Sequence, residues 1–354
     1  MIGERIKRGR TAAQLSLREL SERVGVSAQA ISKYERGLDT PGSEVLIRLA
    51  RALGVKTEYF LRPVTVNLAD PAYRKRTLLG KKTEMAMWAR VQEKLELYLE
   101  VEELLFPAGR PSFRVPAGLK EKIESIQEVE KVAENLRQAW GLGLDPIENL
   151  VEVLEEHGIL VVPVEAAQGF DACLTMANDY IPVVVINAGY PGDRQRLSIA
   201  HELGHLVLKP VSSVDGEKAA FRFAGAFLMP SARAHEELGR KRCRIGPLEL
   251  HLLKHKYGMS MQALLYRAMD LGILSQAAAA HYFRDFRARG WHRVEPGDQF
   301  PAEVSYRFDR MVAQALAEGV ISETRAAELL GIPYGKLGEE IATKHHGLPL
   351  TLHH

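Results

Sequence analysis

The chain has 354 residues, 46% apolar and 26% charged, with 47 Lys and Arg against 45 Asp and Glu, the profile of an ordinary soluble globular protein of two or three domains. Its two cysteines, Cys173 and Cys243, exclude a disulfide framework, and neither has zinc-ligand spacing. The start, Met1-Ile2-Gly3-Glu4-Arg5, has no apolar signal region and no stretch nears the ~20 apolar residues of a membrane span, so a cytoplasmic protein with no membrane partner is expected.

Residues 1–65 hold twelve Lys and Arg against seven Asp and Glu, while the remainder is mildly acidic. A basic module of this kind suits contact with phosphates. Ile6 opens a predicted helix to about Gln14, Leu17–Val24 forms a second, and Gly25 breaks it. Ser27 is a good N-cap for a third helix over Ala28–Arg36, with Gly37 just past its end. Two short helices joined by a glycine turn make a helix-turn-helix, whose second helix sets its N-terminal residues against base edges. A helical bundle without nucleic acid is the alternative, and the basic charge weighs against it. The segment resembles the XRE (Cro-type) family through Leu17, Val24-Gly25-Val26-Ser27, Ile31-Ser32, Glu35-Arg36-Gly37, Pro41 and Leu49-Ala50-Arg51-Ala52-Leu53-Gly54-Val55. The resemblance implies that Ala28, Gln29, Ser32 and Lys33 face double-stranded DNA. With Ser27 and Arg36 they form the candidate contact set, and the Gln29 amide suits a bidentate bond to adenine.

Residues 84–106 set Met85, Trp88, Val91, Leu95, Tyr98, Leu99, Glu102 and Leu105 at helical spacing, an amphipathic helix ending near Pro107. It packs on the rest of the chain or pairs with a second copy. Because recognition helices are commonly used in pairs one duplex turn, roughly 34 Å, apart, a homodimer is expected. Closely spaced prolines and glycines from Pro107 to Gly118 mark a boundary. The chain is thus read as a module at 1–65, a helical linker at 66–118, a second domain at 119–275, and a helical C-terminal region and tail at 276–354. The fold class is mainly α with a small β-sheet (α+β).

In the second domain Ile123, Ile126, Val129, Ala133, Leu136 and Trp140 predict one helix, and Asp145-Pro146 caps another that stops at Gly158. Ile159–Val164, Ala172–Met176 and Ile181–Ile186 predict strands, the last two flanking Asn178-Asp179. An apolar helix ended by Pro210 then carries His201-Glu202-Leu203-Gly204-His205. Residues four apart share a helical face, so both histidines can address one ion, while Glu202, ~100° round the helix, can act as a base without being a ligand. A helix this apolar should be buried, and buried histidines beside a glutamate need a partner.

Catalytic zinc usually takes three protein ligands. Asp215 predicts the N-cap of a helix over Glu217–Met229 closed by Pro230, and Glu217 is the candidate third ligand, although an acid in a first helical turn is also explained by the helix dipole. The HELGH motif followed by E-x-x-A-x-x-F-A-x-x-F-L-M-P resembles the ImmA/IrrE family of zinc metallopeptidases, intracellular proteases associated with repressor cleavage, over about residues 120–275. The resemblance implies that His201, His205 and Glu217 bind Zn2+ and that Glu202 is the general base; Mn2+ or Fe2+ would satisfy similar ligands. Phe221 stands where the family often has asparagine, which touches a supporting hydrogen bond and not the ligand set. Tyr180, Tyr190, His235, His251 and His255 are candidates for stabilising an oxyanion, each also readable as a packing or surface residue.

Further on, Leu248–Tyr257 and Met261–Leu271 are predicted helical, 290–297 a loop and 311–342 two or three short helices. Arg240-Lys241-Arg242 and Arg244 form a basic cluster that suits a solvated turn or a second phosphate contact. His345, His346, His353 and His354 make a tail able to scavenge metal. Taken together, the residues predict a DNA-binding regulator carrying a zinc endopeptidase, with a repressor or antitoxin-like protein as substrate by resemblance. The alternatives are a transcription factor whose zincin-like domain senses ligand or dimerises without cleaving, and a protease that grips protein through its N-terminal module. The intact His201, Glu202, His205 and Glu217 set favours the first over the second, because a scaffold has no need of Glu202. The basic charge favours it over the third.

Overall fold

A computed structural model describes residues 2–69, 80–167 and 169–338, so the tail histidines His345, His346, His353 and His354 lie outside it. The chain gathers into two compact units that do not follow chain order. One joins Met1–Asn67 with Gly80–Pro111 and the chain from Ser305; the other joins Ser112–Val304 with the connector from Leu68. The stretch expected to form one C-terminal region from 276 is therefore divided between them. Helices dominate and the sheets are small, the α+β class expected from the sequence.

In the first unit, α1 (Ile2–Ala12), α2 (Leu17–Val24), α3 (Ala28–Glu35) and α4 (Ser43–Leu53) enclose Ile6, Leu20, Val24, Ile31 and Leu49, with Phe60 closing the core from a 3-10 turn at Thr57–Leu61. Ser16 and Glu19 form a reciprocal capping box at the start of α2, and Gly25, at φ 72°, ends it in a conformation that would strain any side chain. The Ser27 hydroxyl accepts from the Ala30 N–H at 3.1 Å and fixes the start of α3. Arg5 and Arg8 of α1 reach buried Glu96 on α5 (Lys81–Leu105) at 2.6 and 2.8 Å. Met87, Val91, Leu95 and Val101 of α5 are buried, and the helix packs on α1 and on α14 (Arg307–Ala317). Its apolar stripe is thus covered within the chain. Val101 joins Met311, Val312, Ile321 and Leu329 in a core completed by α15 (Glu323–Leu329), where Arg62 pairs with Glu328.

The second unit holds a mixed sheet of β2 (Leu160–Val164), β3 (Ala172–Ala177) and β4 (Ile181–Asn187). β4 lies at the centre, parallel to β2 and antiparallel to β3, with every residue buried, which accounts for its unbroken apolar run. Asn178 and Asp179 have φ 51° and 69°, the pair of positive values that a tight hairpin turn requires. The remaining elements are β1 (Lys122–Ile123), α6 (Glu128–Ala139), α7 (Leu150–Glu156), α8 (Gly192–Val207), β5 (Lys209–Pro210), α9 (Gly216–Leu228), α10 (Ser231–Leu238), α11 (Pro247–Tyr257), α12 (Met261–Asp270) and α13 (Gln276–Ala288).

Three local expectations are corrected. Ile123 lies in β1, paired in parallel with β5, and α6 starts only at Glu128. The metal-motif helix α8 stops at Val207, ahead of Pro210. α7 is capped by Asn149, not Asp145, and its first amides at Leu150 and Val151 are taken by the Glu303 carboxylate at 3.0 and 3.1 Å. Among the described residues, no helix is long and apolar enough to cross a membrane.

Candidate metal centre and recognition helix

Helix α8 carries His201 and His205 on one face, and α9 brings Glu217 to them from its first turn. His201 Nε2 and His205 Nε2 lie 3.1 Å apart; Glu217 Oε2 is 3.5 Å from the first and Glu217 Oε1 3.6 Å from the second. Ligands ~2.0–2.1 Å from a tetrahedral ion stand roughly 3.3 Å from one another, so this triangle fits an ion of zinc's size. Among the described residues it is the one group of three or more His, Cys, Asp or Glu donors close enough to share an ion. His201 is buried and Glu217 exposed, so the site opens toward solvent on the α9 side. The Phe221 ring lies 4.1 Å from the His201 ring, holding by packing a face that the family often supports with asparagine.

What lets α9 come this close is Gly204, the residue between the ligands. A β-carbon there would stand 3.1 Å from Ala220 Cα and 3.2 Å from Phe223 Cδ1. Asp215 sets the start of α9 by accepting from the Glu217 and Lys218 amides at 3.1 and 3.2 Å, which fixes where Glu217 leaves the helix. At the far end two buried arginines satisfy carbonyls that the helix leaves open: Arg137 donates to Phe227 O at 2.6 Å and Arg267 to Met229 O at 2.9 Å. Cations at a helix C-terminus complement its dipole, so α9 is held at both ends.

Glu202 is buried beside this site. Burial pushes its carboxyl up to about 7 and the charge of Glu217 adds to the rise, while a hydrogen bond from the Leu174 N–H on β3 opposes it. A carboxyl tuned close to neutrality suits a group that takes up and returns a proton. His251 and His255 stack on each other at 4.7 Å, with His255 on the carbonyl of Asp298, and Tyr190 bonds the Gly169 N–H; these oxyanion candidates have structural contacts of their own.

On α3, Ser27, Gln29, Lys33 and Arg36 are exposed, whereas Ala28 and Ser32 are half-buried. Ser27 serves as the cap, and Arg36 Nε donates to Ser32 O at 3.2 Å. Glu35 turns inward to Arg10, with one contact at 2.9 Å, and so belongs to the core's support.

Sequence reasoning missed four contributors. Gly204 was in plain view inside the motif, and its signal was a glycine in the interior of a helix, which usually has a packing reason. Leu174, Arg137 and Arg267 act through backbone or buried contacts between elements distant in sequence, and nothing local announces them.

The helix-turn-helix family profile matches residues 6–60, and that of the IrrE N-terminal-like domain matches residues 154–269. An uncharacterised transcriptional regulator in the ATPase CF(0) region of Rhodospirillum rubrum is 42% identical over 17% of this chain and 55% of its own length. An uncharacterised HTH-type transcriptional regulator of Mycobacterium tuberculosis is 46% identical over 16% of this chain and 40% of its own length. The HTH-type transcriptional regulator ImmR of Bacillus subtilis is 26% identical over 37% of this chain and 97% of its own length. The chain thus spans about half the length of the first relatives it matches. It carries a helix-turn-helix domain of the XRE type at its N-terminus and, behind it, an IrrE/ImmA-like domain of the metallopeptidase family.

Proposed function

We propose that this protein is a DNA-binding transcriptional regulator that also carries a zinc-dependent endopeptidase, acting on a repressor or antitoxin-like protein. The observation that carries the reading is the convergence of His201, His205 and Glu217 donor atoms next to buried Glu202, in a chain whose α3 exposes Gln29, Lys33 and Arg36. His201, His205 and Glu217 would hold the ion, and the ion would supply a Lewis acid for a peptide carbonyl and an activated water. Glu202 takes the proton released as the bond is attacked and returns it to the leaving amine. Its burial makes the uncharged form accessible near neutral pH, which is what the return step needs. The helix-turn-helix module binds double-stranded DNA through α3, with Gln29 reading a base edge and Lys33 and Arg36 contacting phosphates; two copies acting together place two such helices on one operator.

The decisive experiment incubates the full chain with regulators encoded near it and follows intact masses. Glu202→Gln should keep its zinc and lose cleavage by a factor of about 10²–10⁴, the usual contribution of a general base, whereas His201→Ala and His205→Ala should lose zinc. Equal loss of metal in Glu202→Gln and the histidine variants refutes the role assignment, and cleavage that survives Glu202→Gln refutes the peptidase reading.

A further inference from the structure

Strand β3 has two edges, and they have different owners. One pairs along its length with β4, from Ala172 opposite Ile186 to Ala177 opposite Ile181. On the other edge the Leu174 N–H donates to the Glu202 carboxylate. Two residues further along the same edge, the Met176 carbonyl accepts from the Ala69 N–H at 2.9 Å, Leu68 bridges Ala177 in the antiparallel sense, and the Thr175 hydroxyl donates to the Ala69 carbonyl at 2.9 Å. In an antiparallel ladder residues two apart turn their backbone groups to the same side. The edge that meets the candidate base is therefore also the edge to which the chain's own connector is tied, roughly 7 Å away along the strand.

We propose that the outer edge of β3 is a docking edge for an extended peptide and that Leu68–Ala69 compete with that peptide from within the chain. The inference rests on the peptidase reading and adds its regulation. An exposed strand edge recruits extended chain through main-chain hydrogen bonds, with affinity little dependent on side chains. A peptide paired along this edge past Leu174 needs the Met176 carbonyl, which Ala69 already holds. The sequence next reads Asp70-Pro71, and proline has no N–H to add to a ladder, a composition suited to a strand that stops. Because the connector follows directly on the helix-turn-helix module, whose last turn ends at Leu61, the state of that module and access to the edge share one short stretch of chain.

The test uses the full-length, zinc-loaded protein in a Glu202→Gln background, with a fluorescein-labelled peptide copying residues 62–69 as probe and anisotropy as readout. Ala69→Pro removes the N–H that Met176 accepts; Thr175→Val removes the hydroxyl bond while keeping the shape. Each should tighten peptide binding by about threefold to tenfold, the usual net worth of one hydrogen bond. Unchanged affinity in both variants, or no peptide binding in any form, overturns the proposal. The same two substitutions are then made with Glu202 restored: tightened binding with no cleavage of any peptide retires the peptidase reading and leaves the docking edge standing.

Discussion

Gly204→Ala tests how the centre is assembled. The added methyl would meet Ala220 Cα at 3.1 Å, Phe223 Cδ1 at 3.2 Å and Ala220 O at 3.3 Å. Comfortable carbon contacts lie near 3.5–4.0 Å, and two of these three neighbours are backbone atoms that cannot swing aside. Helix α9 must therefore back away by a few tenths of an ångström. Overpacking of this kind costs about 1–3 kcal/mol, and replacing a mid-helix glycine by alanine returns about 1 kcal/mol, so the net loss of stability is small, about 0–2 kcal/mol. Metal ligation is less forgiving, because ligand distances hold to about 0.2 Å. Retreat of α9 carries Glu217 with it, so zinc affinity should fall about tenfold to a hundredfold while the melting temperature barely moves. Gly225→Ala is the control: its methyl meets only Arg267 Cδ, at 3.4 Å, so it should keep zinc and be as stable or slightly more so. Zinc affinity is read by competition with a chromophoric chelator, on protein lacking the histidines from His345 onward. Gly204→Ala with unaltered zinc affinity would show that α8–α9 approach is not what positions Glu217.

Arg137→Leu should destabilise the protein by about 2–4 kcal/mol in urea unfolding, since it strands the carbonyls of Phe227 and Gly143, which Arg137 bonds at 2.6 and 2.8 Å; a loss below about 0.5 kcal/mol would mean that water replaces it. Gln29→Ala should cost about 1–3 kcal/mol of discrimination for one base pair, whereas Lys33→Ala should weaken all sequences alike and flatten the salt slope by about one; gel shifts over salt separate the two. Glu202 gives a pH signature in EDTA. Its carboxyl is raised from 4.5 to about 7 in the folded chain, so the stabilisation is complete below 4.5 and lost as pH rises through about 7. That loss amounts to about 3 kcal/mol at 1.36 kcal/mol per pH unit. Glu202→Gln should remove this slope, and a wild-type stability flat from pH 5 to 8 would contradict the burial argument.

Where the determinants are local, the sequence was readable. Ser27, Gly25 and the Ser16–Glu19 box mark helix ends by chemistry confined to four residues, and the His-Glu-x-x-His spacing places ligands by helix geometry alone. The unreadable parts are settled across long separations. β1 and β5 are two residues each and carry no periodicity; they exist only because Lys122 and Lys209 come side by side. The first amides of α7 are bonded by Glu303, some 150 residues on, so the nearer Asp145-Pro146 gave a misleading cap signal. Lys254 is fully buried between Asp193 and Glu295, at 3.1 and 3.0 Å, where charge predicts a surface residue.

The partner of α5 is the largest of these non-local outcomes and leads to the final prediction. An amphipathic helix with no visible mate invites a second copy, but α14 and α15, over 200 residues downstream, supply the apolar surface that Val101, Leu97, Tyr98 and Leu105 need. Tyr98 stacks on Phe308 at 5.8 Å, and Arg325 bonds Glu100, so the fit is both apolar and polar. Truncation before Ser305 uncovers these four side chains. At about 1.5–3 kcal/mol for each fully buried apolar side chain, discounted because three are only partly buried, the loss is on the order of 3–5 kcal/mol. The N-terminal unit should thus melt earlier and lose affinity for DNA, although no residue of the helix-turn-helix has changed. Hydrogen exchange resolved by peptide is the direct assay: protection over α5 should drop while protection over β4 and α8 persists. If α5 remains as protected in the truncated chain, the helix is held by α1 alone and the C-terminal helices are dispensable to the unit.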